Sequence, residues 1–132
     1  MKINHIGMVV PSLQKSAKLY TQNFGYAVKI ENIFVENQGV YITMLRNNDG
    51  GPDLELITPA DEGSPSSNAL KKRLVLNHIC YEVDNYEEVL KRYSSKVVRA
   101  SMPAPVELFG GGRTFFAFIG GTLTEFVELV RK

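Results

Sequence analysis

His5 precedes Glu55 by 50 positions and His78 precedes Glu128 by the same 50, so each of the chain's two histidines leads an acid, and one offset of 73 relates the pairs. The surroundings repeat as well. Each histidine lies in an Asn-His-Ile tripeptide, Asn4-His5-Ile6 and Asn77-His78-Ile79, and each acid sits in an apolar run, Leu54-Glu55-Leu56-Ile57 and Val127-Glu128-Leu129-Val130. Two imidazoles and two carboxylates brought to one point would suit a single borderline divalent ion such as Zn, Co, Ni, Mn or Fe, with coordination positions left for water or substrate. Burying two carboxylates together without a cation would be costly, because like charges repel and each loses its hydration. His5, Glu55, His78 and Glu128 are therefore the candidate metal ligands, and the chemistry expected of them is metal-assisted.

Such a quartet needs a duplicated scaffold, and the hydrophobic pattern supplies one. Residues 3–10 are apolar and β-rich, and after Pro11 the residues Leu13, Ala17, Tyr20 and Phe24 recur at helical spacing up to Gly25. Strand-like stretches follow at about 26–35, 39–46 and 53–58, broken by Glu36-Asn37-Gln38 and by Asn47-Asn48-Asp49-Gly50-Gly51. A polar connector over 60–73, with a short helix near 66–72, leads to a strand containing His78. Asp84-Asn85 can cap a helix whose Tyr86, Val89, Leu90 and Tyr93 share a face, and strands near 96–100, 113–119 and 123–130 complete the second set. Tyr20 and Tyr93 obey the 73-residue offset independently of the acids. The expected fold is α+β: two tandem βαβββ modules, about 1–59 and 74–132, forming a curled mixed-sheet cleft within a single domain.

Strand alternation assigns the faces. Ile3, His5, Gly7 and Val9 share one side of the first strand, while Ile6, Met8 and Val10 take the other, beneath the helix. Glu55, His78 and Glu128 follow the same parity. Cys80 shares the parity of His78, and an inert buried thiol is the expected state for it.

Bulk properties narrow the partners. Fifteen basic against fourteen acidic residues give a net charge of +1, which offers no strong field for nucleic acid or an anionic membrane, so a small molecule is the expected partner. One cysteine cannot form an intramolecular disulfide, and the N-terminus has no long apolar segment; both suit a reducing, cytoplasmic setting. No apolar run approaches the roughly 20 residues that cross a bilayer.

The histidine and acid strands resemble those of the vicinal oxygen chelate superfamily, which includes glyoxalase I, methylmalonyl-CoA epimerase, extradiol dioxygenases and bleomycin-sequestering proteins. The resemblance covers essentially the whole chain. It implies paired βαβββ modules around a cleft, one divalent metal on His5, Glu55, His78 and Glu128, and a homodimer. The segment Leu54-Glu55-Leu56-Ile57-Thr58-Pro59, then Ser64-Pro65, and Asn77-His78-Ile79-Cys80-Tyr81-Glu82-Val83-Asp84-Asn85 most resemble methylmalonyl-CoA epimerase. Departures accompany the likeness: Asn77 stands where a doubled histidine is common, Val40-Tyr41-Ile42-Thr43-Met44 carries no acid where some epimerases have one, and the segment 103–113 differs from the shorter glycine-rich loop of those enzymes.

The chemistry implied is proton abstraction next to a metal-bound carbonyl of a thioester or other carbonyl substrate, with Glu55 and Glu128 as metal ligands and candidate bases. Arg113, after Gly110-Gly111-Gly112, is the candidate contact for a substrate carboxylate or phosphate. A glyoxalase I-like lactoylglutathione lyase is the alternative enzyme. A non-catalytic ligand-sequestering protein is the alternative of another class, disfavoured by the complete quartet.

Overall fold

A computed structural model of the chain describes residues 1–73, 75–104 and 106–129, and of Ala100, Val106 and Glu107 the backbone alone. Its elements run β1 (Ile3–Val9), α1 (Leu13–Phe24), β2 (Tyr26–Val35), β3 (Val40–Asn47), β4 (Asp53–Pro59), α2 (Pro65–Lys71), β5 (Leu76–Glu82), α3 (Tyr86–Arg92), β6 (Val97–Pro103), α4 (Val106–Phe109), β7 (Arg113–Ile119) and β8 (Thr122–Val127). Two βαβββ modules are present, as the sequence pattern predicts. The last strand ends at Val127, earlier than expected; Val130, the expected end, lies outside the described residues.

The chain divides into two compact units, residues 5–77 and residues 1–4 with 78–132. The connector expected over 60–73 falls in the first of these, where Ser64 caps α2 with Pro65 at its first position.

In the unit of residues 5–77 the strands lie in the order β2-β3-β4-β1, with β1 and β4 parallel and the other neighbours antiparallel. Ser12 starts α1 by accepting from the backbone N–H of Lys15, and Gly25 ends it in the left-handed conformation. Val10, Leu13, Leu45, Leu54 and Leu56 form the core beneath α1, with Ile6, Met8, Ala17 and Tyr20 packed against it. Because Ile6 and Met8 are drawn to this core, alternation sends His5 and Gly7 to the opposite face.

In the other unit the order is β5-β8-β7-β6, with β5 and β8 parallel. Asn85 caps α3 by accepting from the N–H of Glu88; Glu87 and Glu88 at its start and Lys91 and Arg92 at its end suit the helix dipole. The core here is aromatic. Phe115 stacks on Phe126, Phe126 on Tyr93, and Tyr86 meets Phe115 edge-on. Tyr93, singled out by the 73-residue offset, therefore serves packing, as Tyr20 does in its own unit. Among the described residues no helix is long and apolar enough to cross a membrane.

Candidate metal-binding residues

His5 is completely buried and Glu55 is 3% exposed; Nε2 of His5 lies 3.3 Å from Oε2 of Glu55. Gly7, two residues beyond His5 on the same face, pairs with Glu55 in the parallel β1–β4 ladder. Met44 and Ile42 on β3 lie on the same face, opposite Glu55 and Ile57, and both are buried. The carboxylate thus has an imidazole on one side and apolar side chains from β3 on the other.

The other unit repeats this arrangement with a different acid. His78, 2% exposed, has its Nε2 3.1 Å from Oε1 of Glu125, which is itself 2% exposed. Oε2 of Glu125 accepts from the hydroxyl of Thr114 at 2.6 Å. That hydroxyl also lies 3.0 Å from the carbonyl oxygen of Phe126, but its single proton favours the shorter bond to a charged acceptor. Phe116 meets the His78 ring edge-on at 5.3 Å and fixes its far side.

Glu128, the acid expected in this position, lies past the end of β8 and belongs to a surface network instead. Its two carboxylate oxygens accept from Nε and Nη2 of Arg113 at 3.2 and 3.0 Å. Arg113 also donates to Glu87 and lies 4.3 Å from the centre of the Tyr86 ring, while the Tyr86 hydroxyl is hydrogen-bonded to Ser101. The guanidinium holds the Glu128 carboxyl below the usual carboxylate range, and the two acids together push Arg113 further up. Burial raises Tyr86, opposed by its bond to Ser101 and the nearby Arg113 charge. Arg113, expected to face a substrate anion, is thus engaged by two of the protein's own carboxylates.

The displacement of the acid has a simple origin in strand register. Gly7 pairs with Glu55 and Cys80 with Glu125, so the matched partners are 48 positions apart in one module and 45 in the other. Two of the three missing residues are in the final hairpin: Glu55 pairs with Met44 eleven residues before it, Glu125 with Phe116 nine before it. The β3–β4 connection uses residues 48–52, whereas β7 and β8 are joined by Gly120 and Gly121 alone, both at positive φ. A two-glycine hairpin read against the longer Asn47-Asn48-Asp49-Gly50-Gly51 turn is the sequence signal for two of the three positions by which the acid moves from 128 to 125.

The two pairs lie on the first and last strands of successive βαβββ modules. The model of the glyoxalase/bleomycin resistance protein/dioxygenase superfamily matches residues 4–118, and the chain belongs to it. Within that superfamily the chain is similar to methylmalonyl-CoA epimerases: it is 29% identical over 130 residues to the human mitochondrial enzyme, covering 94% of this chain and 72% of that one. To the mitochondrial methylmalonyl-CoA epimerase of Dictyostelium discoideum it is 33% identical over 106 residues, covering 79% of this chain and 62% of the relative. The chain thus spans about six- to seven-tenths of the length of these relatives. Among solved structures, methylmalonyl-CoA epimerase from Mycobacterium tuberculosis superposes with a TM-score of 0.85 at 21% identity, over 98% of this chain and 89% of that one. A methylmalonyl-CoA epimerase in complex with methylmalonyl-CoA and ammonium superposes with a TM-score of 0.81 at 26% identity, over 98% of this chain and 94% of that one.

Proposed function

We propose that His5, Glu55, His78 and Glu125 hold one divalent metal ion and that the protein is a metal-dependent epimerase, or a related lyase or isomerase, that moves a proton next to a carbonyl. The single observation that carries this reading is the chemistry of the donor set: four buried residues, two imidazoles and two carboxylates, forming a group that could bind a metal.

A bound cation supplies positive charge beside a carbonyl oxygen, which lowers the cost of the negative charge that develops there as the neighbouring C–H is deprotonated. His5 and His78 serve as neutral nitrogen donors. Glu125 presents Oε1 towards His78 while Thr114 keeps Oε2 in place, which suits it to holding the cation. We therefore assign proton transfer to Glu55, whose apolar neighbours Ile42 and Met44 exclude water from its flank. Methylmalonyl-CoA is the substrate proposed first, from the similarity to enzymes of that name.

The same apolar pair favours a second reading. With Ile42 and Met44 and no further acid on that face of β3, one carboxylate that both removes and returns the proton suffices, as a glyoxalase I-like lactoylglutathione lyase would require. The proposal also includes a homodimer and, from buried Cys80 as the only thiol, a cytoplasmic setting.

The test is metal content by elemental mass spectrometry on wild type, Glu125→Ala and Glu128→Ala, followed by CoA-thioester epimerisation and hemithioacetal isomerisation assays. Near-stoichiometric metal in wild type and Glu128→Ala, with loss in Glu125→Ala, is expected. Metal retained by Glu125→Ala, or absent from wild type after loading with each candidate ion, would overturn the assignment.

A further inference from the structure

A cleft of about 620 Å³ opens between α1 and the β2 edge of its sheet, a volume suited to a small molecule. Buried Thr43 lies at its floor and pairs with Leu56 of the core beneath α1, while Met44 beside it pairs with Glu55 on the other face. The opening has its origin in a bulge of β2. Between the pairs Ile30–Met44 and Ile33–Ile42, Glu31 and Asn32 stand against the single residue Thr43, and Asn32 takes a φ of 50°. The N–H of Asn32 donates to the Thr43 hydroxyl at 3.0 Å. Leu13, Ala17 and Val28 give the cleft an apolar wall, and Glu31 gives it a negative charge.

The other module has the same bulge and fills it from within. Residues 100 and 101 stand against Phe115, between the pairs Arg99–Phe116 and Met102–Thr114. Tyr86 meets Phe115 edge-on with its hydroxyl bonded to Ser101, and Arg113 lies over the Tyr86 ring while pairing with Glu87 and Glu128. The helix caps Ser12 and Asn85 are equivalent at the 73-residue offset, which matches Tyr86 with Leu13 and Glu87 with Gln14. In the hairpins Met44 faces Glu55 as Phe116 faces Glu125, which matches Phe115 with Thr43, Arg113 with Tyr41 and Glu128 with Thr58. Those five equivalents, Leu13, Gln14, Tyr41, Thr43 and Thr58, all line the cleft. Where one module holds a phenol ring under a guanidinium, the other has neutral side chains and open space.

We infer that this cleft is a second binding site, for a small ligand that joins an aromatic ring to a cationic nitrogen, of the arylalkylamine class. The inference is independent of the metal-centre reading, because the cleft and Glu55 occupy opposite faces of β3 and β4. The ring takes the place that Tyr86 fills in the other module, against Leu13, Ala17 and Val28. The ammonium group pairs with Glu31, and the half-exposed Tyr41 ring offers it an electron-rich face. The Thr43 hydroxyl, accepting from Asn32, still carries a proton to donate to a polar group on the ring. Glu31 selects against an anionic ligand of the same shape.

Amide NMR titration of the full chain with tyramine, phenol and benzoate tests this. Tyramine is expected to bind wild type with a Kd of about 1 mM or below and to shift the amides of residues 13–17, 28–32 and 41–43, phenol to bind more weakly, and benzoate not to bind. Glu31→Gln, at an exposed position, is expected to weaken tyramine about threefold and to leave phenol unchanged. Leu13→Tyr, which restores the ring of the other module, is expected to abolish binding of both; Val28→Trp, at an exposed position on the cleft wall, closes the same space without touching the core. The absence of saturable shifts in wild type, shifts confined to other segments, benzoate binding as tight as that of tyramine, or tyramine affinity unchanged in Glu31→Gln or in the folded filled variants overturns the inference.

Discussion

The hydroxyl of Thr114 donates to Oε2 of Glu125 across 2.6 Å, and both side chains are buried. One oxygen of the acid is thus held by β7 while the other faces His78. Thr114→Val keeps the shape and removes this hydroxyl donor from the buried carboxylate. Metal affinity is expected to fall about 10-fold or more, as for other residues that orient a metal ligand, with Thr114→Ser restoring most of it. Competition titration with a chromophoric chelator measures the affinity, and the visible spectrum of the Co(II) form reports changed ligand geometry. Equal affinity in Thr114→Val and wild type would remove this role.

Gly112 is required by close packing of the backbone. A Cβ built on it would lie 1.7 Å from the carbonyl oxygen of Glu128, and the same segment is tied by hydrogen bonds from Ala104 to Gly112 and from Glu128 to Arg113. Gly112→Ala must displace one of these chains, at an expected cost of about 2–4 kcal/mol. Urea denaturation would show it as a lower midpoint. An unchanged midpoint would mean that the end of β8 yields easily.

Leu56 is fully buried in the core beneath α1, next to Glu55 in sequence and on the opposite face of the strand. Leu56→Ala is expected to cost about 2–5 kcal/mol through lost burial and the cavity left behind. Because the face carrying Glu55 is untouched, metal stoichiometry at low temperature should persist. Loss of metal without loss of stability would contradict this division between faces.

The pairing of Glu128 with Arg113 gives a pH dependence of defined sign. Arg113 lowers the folded-state pKa of Glu128, so its contribution is complete above the unfolded carboxylate value of about 4.3 and is lost as pH falls through the lower folded value. The melting temperature of wild type should exceed that of Glu128→Gln modestly at pH 7, and the two should converge in acid. Both partners are partly exposed, so salt should shrink the difference as well. A gap that widens towards low pH would contradict the pairing.

Most of the architecture was legible because each element has a local cause: helical spacing and caps in α1 and α3, strict alternation in β1 and β5, and a duplication marked by Tyr20 and Tyr93. Alternation also assigned His5, Glu55 and His78 to the face away from the helices, and all three side chains are buried. Glu128 failed because a constant offset assumes loops of constant length, and hairpin length is a property of turn chemistry. Arg113 failed for another reason. Its partners, Glu87 and Glu128, come together only when α3 packs near the start of β7, which no spacing within one strand reveals.

The unequal hairpins also decide where this molecule can be engineered. The β3–β4 connection at 48–52 is exposed at its tip, so a tag or fluorophore inserted there should leave the pairing of Glu55 with Met44 intact. The turn at Gly120 and Gly121 has no slack, because Ile119 and Thr122 on either side are already paired. One residue added there, if absorbed as a slip of β8 against β7, would turn Glu125 into the aromatic core and Phe126 towards His78. A single codon in that turn can therefore part Glu125 from His78 without changing either residue.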